Sequence, residues 1–117
     1  MKRYHMNIRK LFAACGLAAF VAGNAHATCT SISCDNETII GMMTTTAGDV
    51  YIKTSGTMTN LGCTLSQGVY ITLPVANNPR FKELYASLLA HHMADRPLSI
   101  RINDGSVGCT IAYIMAS

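Results

Sequence analysis

Cysteines are the residues with the clearest chemistry in this chain of 117 residues, which contains five of them. Cys15 lies in an apolar N-terminal stretch, and the other four follow it: Cys29, Cys34, Cys63 and Cys109. Cys15 is lost if this stretch is a cleaved export signal, as argued below, and the four remaining cysteines, an even number in a small exported domain, then indicate two disulfides. Three pairings are possible, and we favour Cys29–Cys34 with Cys63–Cys109 because the first two lie together in one short polar segment. Zinc sites typically use C-x-x-C spacing, which this sequence lacks, so we predict no metal and no cofactor.

Catalytic residue types do not form a recognisable pattern. The sequence has no Gly-rich phosphate loop, no H-E-x-x-H and no G-x-S-x-G motif. His91 and His92 are adjacent, and adjacent helical residues point about 100° apart, so they cannot chelate one ion together. We expect His92 at the edge of the core, the alternative being a pH-sensitive contact. The six acidic residues are scattered, mostly beside turns, which indicates solvated surface, and we predict no catalytic residue and no enzyme activity.

The first 27 residues have the three parts of a secretory signal peptide. Basic residues at positions 2, 3, 9 and 10 precede the apolar stretch 11–22, and Ala25-His26-Ala27 matches an A-x-A cleavage site. Its removal leaves five basic against six acidic side chains, a formal net charge of −1. This charge argues against nucleic-acid binding, which needs a clustered cationic face. No later segment approaches the roughly 20 apolar residues that span a bilayer, so we predict no membrane span and a periplasmic or secreted bacterial protein.

Two periodicities divide the rest of the chain. Residues 28–37 are polar and carry the first cysteine pair. A short apolar run predicts a first strand at 38–43. Alternating apolar residues then predict strands at 49–55, 63–73 (with a break at Gly68), 98–103 and 109–115. On the last strand, Ile111, Tyr113 and Met115 should share one face, with Ala112 and Ile114 on the other.

A single helix is predicted between the third and fourth of these strands. Asn78 fits its N-cap and Pro79 its first position. An apolar stripe at helical spacing follows, formed by Phe81, Leu84, Tyr85, Leu88, Leu89, His92 and Met93.

Tyrosines occupy the outward positions of two predicted strands. If Val50 and Ile52 face the core, Tyr51 points the other way, and the same alternation turns Tyr70 outward. One interpretation is an ordinary cross-strand pair. The other is a partly apolar surface that a partner or a second copy covers. The absence of tryptophan argues against a sugar-stacking platform.

The strand and helix order β-β-β-α-β-β is that of a small five-stranded OB-like barrel, which we predict for residues 38–117. Within this order the chain resembles the binding (B) subunits of subtilase-type AB toxins and related small exported bacterial proteins. Four short motifs carry the resemblance, within residues 50–103: Tyr51-Ile52-Lys53-Thr54, Gly62-Cys63, Phe81-Lys82-Glu83-Leu84 and Leu98-Ser99-Ile100-Arg101-Ile102.

The resemblance implies a ring of five subunits that binds sialylated glycans. In the toxin subunits a serine near the first strand contacts the sugar, and Ser33 is its nearest match here. Those subunits also pair the cysteine matching Cys63 with one in the second strand, where this chain has Tyr51; Cys109 is then the candidate partner. We therefore predict an exported, non-catalytic binding module that forms a homo-pentamer and binds its ligand with Ser33, Tyr51 and Tyr70. The alternative is a monomeric periplasmic interaction or inhibitor protein whose tyrosine face docks on a protein partner.

Overall fold

The protein is mainly β with one α-helix. Its structure is a computed structural model that describes residues 28–116, so the predicted signal peptide lies outside the described residues. The strands are β1 Thr28–Cys29, β2 Ser33–Glu37, β3 Ile39–Thr44, β4 Val50–Thr54, β5 Thr64–Leu65, β6 Ile71–Leu73, β7 Leu98–Ile102, β8 Val107–Gly108 and β9 Ile111–Ala116. Helix α1 spans Phe81–Ala94, and a short 3-10 helix spans Met58–Asn60.

Three small sheets share one core. One has the strand order β1-β2-β7-β9, the second β3-β4-β6, and the third pairs β5 with β8 in parallel. A single bridge between Thr72 and Thr110 joins the region of β6 to that of β9. The prediction of a five-stranded barrel is therefore wrong in strand number, and the sheets described here do not close into a barrel.

The polar segment 28–37 forms two strands that the sequence analysis did not predict. β1 and β2 make a tight antiparallel hairpin in which Cys29 is the direct partner of Cys34. β2 continues the pairing onto β7, with Ser33 opposite Arg101. Main-chain pairing and the disulfide stabilise this segment, rather than a row of buried side chains. Its sequence therefore shows no apolar alternation.

The core follows the predicted alternation on the two central strands. On β4, Val50 and Ile52 are buried, and on β7, Leu98, Ile100 and Ile102 are buried. Each buried side chain of this size contributes about 2 kcal/mol to the free energy of unfolding. The predicted strand 63–73 is interrupted as expected at Gly68, but its first half pairs with β8 and only its second half pairs with β4.

Helix α1 is confirmed, although its start and its buried face differ from the prediction. Its N-cap is Arg80, and Asn78 instead donates a hydrogen bond from Nδ2 to the carbonyl of Pro74. Leu88 is the only fully buried member of the expected stripe, whereas Met93 is 77% exposed. The helix is capped at its C-terminal end by Asp95, whose φ of 51° is left-handed, directly before Arg96-Pro97. Among the described residues, none of the helices is both long and apolar enough to cross a bilayer.

A bulge reverses the faces expected for β9. Tyr113 lies opposite Arg101 and Ile111 opposite Ile102, so Ala112 is the extra residue. Beyond the bulge, Ile114 packs against the core, while Tyr113 and Met115 are exposed. One inserted residue exchanges the two faces of a strand, which strict alternation does not anticipate.

Candidate functional site

The two predicted tyrosines form a stacked pair on the outer face of the β3-β4-β6 sheet. The ring centroids of Tyr51 and Tyr70 lie 5.5 Å apart, with an angle of 14° between the ring planes. Both side chains are half-buried, so each ring keeps some surface open to a ligand. Parallel aromatic pairs of this kind contribute about 1 kcal/mol beyond the area they bury.

A tight turn places Tyr70 beside Tyr51. Gln67 and Gly68, in the three-residue loop between the bridged Ser66 and Tyr70, have left-handed φ values of 53° and 75°. The turn is closed by hydrogen bonds from the Val69 and Tyr70 amides to the carbonyl of Ser66. Since Ile71 pairs with Ile52, the preceding tyrosine comes to lie diagonally across from Tyr51.

Three further side chains extend this surface. Met43 is the direct cross-strand partner of Tyr51 and is 42% exposed, and Lys53 is exposed two residues along the same strand. Val69, in the turn, is exposed as well. We call Tyr51, Tyr70, Met43, Lys53 and Val69 the tyrosine surface. It combines aromatic and aliphatic area with one cation.

A groove continues the tyrosine surface on the side of Lys53. It consists of two depressions of about 200 and 310 Å³ that share part of their lining, Met58, Thr59, Leu65 and Gly68. Lys53 and Val69 belong to the lining of the smaller one. The hydroxyl-bearing Thr57, Thr59 and Thr64 are exposed along the groove, so its wall offers hydrogen-bonding groups between apolar side chains.

Lys53 is the available charge of this site. Within residues 28–116 the one ion pair joins Arg80 to Glu83 on the surface of α1, so Lys53 is unpaired. An unpaired ammonium beside aromatic rings can bind a carboxylate of a ligand without first breaking an internal ion pair.

Ser33 lies in the other large sheet, so the structure does not place it with the tyrosines. It is half-buried on β2, and its hydroxyl bonds Asp35 Oδ2 at 3.1 Å and Thr30 Oγ1 at 3.3 Å. Of the three predicted ligand-binding residues, Tyr51 and Tyr70 are therefore in contact, whereas Ser33 lies on a separate sheet.

The disulfides join Cys29 to Cys34 and Cys63 to Cys109, the pairing that the sequence analysis favoured. The sulfurs of the first pair and a Glu37 oxygen lie within 4.8 Å of one another. Zinc binds cysteine as thiolate, and sulfurs joined in a disulfide are not thiolates. We therefore assign this cluster no metal in the oxidised protein.

Both histidines are bonded to main-chain carbonyls. His91 Nδ1 donates to Ser87 within α1 at 2.7 Å, and His92 Nδ1 donates to the Ile39 carbonyl at 3.0 Å. His92 thus fastens the end of α1 to β3, which agrees with the expected position at the edge of the core. A shallow depression of about 410 Å³ next to His91 and Arg96 is otherwise lined by alanines and offers no comparable aromatic surface.

Glu37 is the residue that sequence reasoning missed. The acids were expected on the solvated surface, but Glu37 is fully buried. Its Oε2 accepts a hydrogen bond of 2.7 Å from Ser55 Oγ. Gly56 lies directly against the carboxylate, where a Cβ would overlap Oε1. Ser55 and Gly56 are distant from Glu37 in the sequence, and this adjacent pair was the only signal for the burial of the carboxylate.

None of the family models, curated proteins or solved structures compared with the chain matches it.

Proposed function

We propose that this protein is an exported, non-catalytic binding module that holds a glycan on its tyrosine surface. The observation that carries the proposal is the stacked Tyr51–Tyr70 pair, which lies beside the unpaired Lys53 and opens onto a groove lined by threonines.

The chemistry of the surface fits a sialylated sugar. The protein has no tryptophan for a sugar to stack on, but the rings of Tyr51 and Tyr70 offer rigid and partly polar contact area beside Lys53. The threonine hydroxyls can exchange hydrogen bonds with sugar hydroxyls, and the ammonium of Lys53 can pair with the carboxylate of a sialic acid. The resemblance to toxin B subunits points to the same ligand class.

The hydrogen bonds of the two histidines support a non-catalytic protein. Within residues 28–116, His91 and His92 each donate to a main-chain carbonyl, and neither is hydrogen-bonded to a serine, cysteine or carboxylate side chain. Nucleophilic catalysis needs a base within hydrogen-bond reach of the nucleophile. The two disulfides support an oxidising location, either the bacterial periplasm or the exterior.

A homo-pentameric ring is the assembly we propose. β3 and β9 are each the last strand of their sheet, and such edges carry unpaired main-chain groups that can pair with another copy. Tyr113 and Met115 on β9 are about half exposed and are free to pack in such an interface. Light scattering behind a sizing column should give the mass of five protomers, and the mass of one protomer at all concentrations would contradict the ring.

The second candidate is a monomeric periplasmic interaction or inhibitor protein. The exposed Met43 and Val69 favour it, because they add aliphatic area to the tyrosines, as in the centres of protein–protein interfaces. A protein ligand would need this apolar area, whereas a sialylated glycan depends more on Lys53.

A glycan array separates the two candidates. We expect the wild type to bind sialylated glycans on the array. In the variants Tyr51→Ala and Lys53→Ala the affinity should fall at least tenfold, roughly the contribution of one aromatic contact or one charged hydrogen bond. Lys82→Ala is the matched control for Lys53→Ala, since Lys82 is exposed on α1, away from the tyrosine surface. An array without bound glycan, together with a monomeric mass, would favour the protein-interaction candidate.

A further inference from the structure

A buried carboxylate lies against the disulfide Cys29–Cys34. Glu37 and Cys34 are fully buried, and Cys29 is 6% exposed. Glu37 Oε1 lies 3.5 Å from Cys29 Sγ. The cluster has no part in the tyrosine surface and is not used by the proposed function.

The two carboxylate oxygens have different environments. Oε2 receives the hydroxyl hydrogen of Ser55. Oε1 faces Gly56, which has no side chain, and Cys29 Sγ, which carries no hydrogen while it is part of a disulfide. In the oxidised protein the described residues therefore supply no donor to Oε1. A buried acceptor without a donor raises the free energy of the state that contains it.

Reduction supplies the missing donor. The Cys29 thiol that forms on reduction has a hydrogen at the sulfur already placed next to Oε1. We propose that Cys29–Cys34 is a thiol–disulfide exchange site whose dithiol form is stabilised by the Glu37 carboxylate. It reacts with a dithiol, either a small molecule or a protein with two neighbouring cysteines.

The exchange proceeds in two balanced steps. A thiolate of the dithiol attacks Cys29 Sγ, the S–S bond breaks, and its electron pair goes to Cys34 Sγ, which takes up a proton. The second thiol of the reagent, as thiolate, then attacks the reagent's own sulfur in the mixed disulfide. This step closes the reagent into a cyclic disulfide. Cys29 is released as a thiolate, takes up a proton, and donates this hydrogen to Glu37 Oε1. Two electrons and two protons pass from the dithiol to the protein.

The second disulfide of the chain is an internal reference. Cys63–Cys109 has no carboxylate oxygen grouped with its sulfurs within the described residues. Trypsin separates the bridges for analysis, because Cys29 and Cys34 fall on one peptide ending at Lys53 and the other two cysteines fall on later peptides. Each bridge can then be followed by itself in the same sample.

The test is a redox titration of the folded, signal-free protein in mixtures of reduced and oxidised dithiothreitol at pH 7. Free thiols are trapped by alkylation and quantified by mass spectrometry of the tryptic peptides. We expect Cys29–Cys34 to be half reduced at a lower ratio of reduced to oxidised reagent than Cys63–Cys109. Glu37→Gln should shift its midpoint about tenfold toward the more reducing mixtures, since a charged acceptor binds a donor more strongly than a neutral one.

Glu83→Gln is the matched control, because Glu83 is exposed on α1 and should leave both midpoints unchanged. If circular dichroism shows that Glu37→Gln does not fold, Glu37→Asp serves instead; its shorter side chain withdraws the carboxylate from Cys29 and should shift the midpoint in the same direction. The proposal is overturned if Cys29–Cys34 is no easier to reduce than Cys63–Cys109. It is equally overturned if the folded Glu37 variant titrates as Glu83→Gln does.

Discussion

Gly56→Ala should be among the most destabilising single substitutions in this protein, because the new methyl group would occupy the position of a buried carboxylate. A Cβ at residue 56 overlaps Glu37 Oε1 and lies 2.8 Å from Oε2, so the whole carboxylate must move. Gly56 does not have the left-handed backbone that disfavours alanine, so the expected cost comes from this overlap alone.

The cost has two parts. Forcing a methyl group into a packed interior costs about 1–3 kcal/mol. Moving the carboxylate also breaks its 2.7 Å hydrogen bond from Ser55, and a hydrogen bond to a charged group contributes about 1.5–3 kcal/mol. We expect the free energy of unfolding to fall by about 4 kcal/mol, a large fraction of the total for a domain of this size.

Urea denaturation of the oxidised protein measures this change. Gly41→Ala is the matched control, since its Cβ would meet only Lys53 Cβ at an ordinary 3.5 Å, and it should change stability by less than about 0.5 kcal/mol. In a Glu37→Ala background the overlap is gone, and Gly56→Ala should cost less than about 1 kcal/mol. The reasoning is refuted if Gly56→Ala costs no more than Gly41→Ala, or if its cost is the same in both backgrounds.

Further predictions concern the disulfides and the end of the helix. Replacing Cys63 and Cys109 together with alanine should lower the free energy of unfolding by about 4 kcal/mol, since the bridge spans 46 residues of sequence separation. The same change at Cys29 and Cys34, with a separation of 5, should cost about 2 kcal/mol, and equal losses in urea denaturation would contradict the loop-length argument. His92→Ala should cost about 1 kcal/mol by removing the bond from α1 to β3, with faster amide hydrogen exchange at the C-terminal end of α1 as the readout; unchanged exchange there would contradict the fastening role.

The sequence predicted the elements whose stability depends on regular periodicity. Helix α1 and the alternating strands β4 and β7 were found, since each buries side chains at a repeat that can be counted along the chain. The outward position of Tyr51 followed from the same alternation. Tyr70 was expected to point outward by the same alternation, and the break at Gly68 that precedes it was also predicted.

Elements that depend on main-chain pairing between distant segments were not predictable in this way. β1 and β2 are polar, and β8 is two residues long, so none of these three strands shows a periodic signal. The bulge at Ala112 moved Ile114 into contact with the core and turned Tyr113 to solvent. Such a bulge is set by the pairing with β7 rather than by the composition of β9.

The burial of the Glu37 carboxylate could not be predicted from the sequence either. An acid in a polar segment is usually exposed, and Glu37 differs only because Ser55 and Gly56 reach it from the end of β4. Ser33, by contrast, was selected through a resemblance rather than through spacing, and the structure places it on a different sheet from the tyrosine surface.

The most direct test of the proposed binding site is a titration of isotope-labelled protein, residues 28–117, with sialyllactose, followed by two-dimensional NMR. We predict concentration-dependent chemical-shift changes that centre on Tyr51, Lys53 and Tyr70 and leave Ser33 unaffected. Changes centred on Ser33, or a spectrum that does not change at millimolar sugar, would contradict glycan binding at the tyrosine surface.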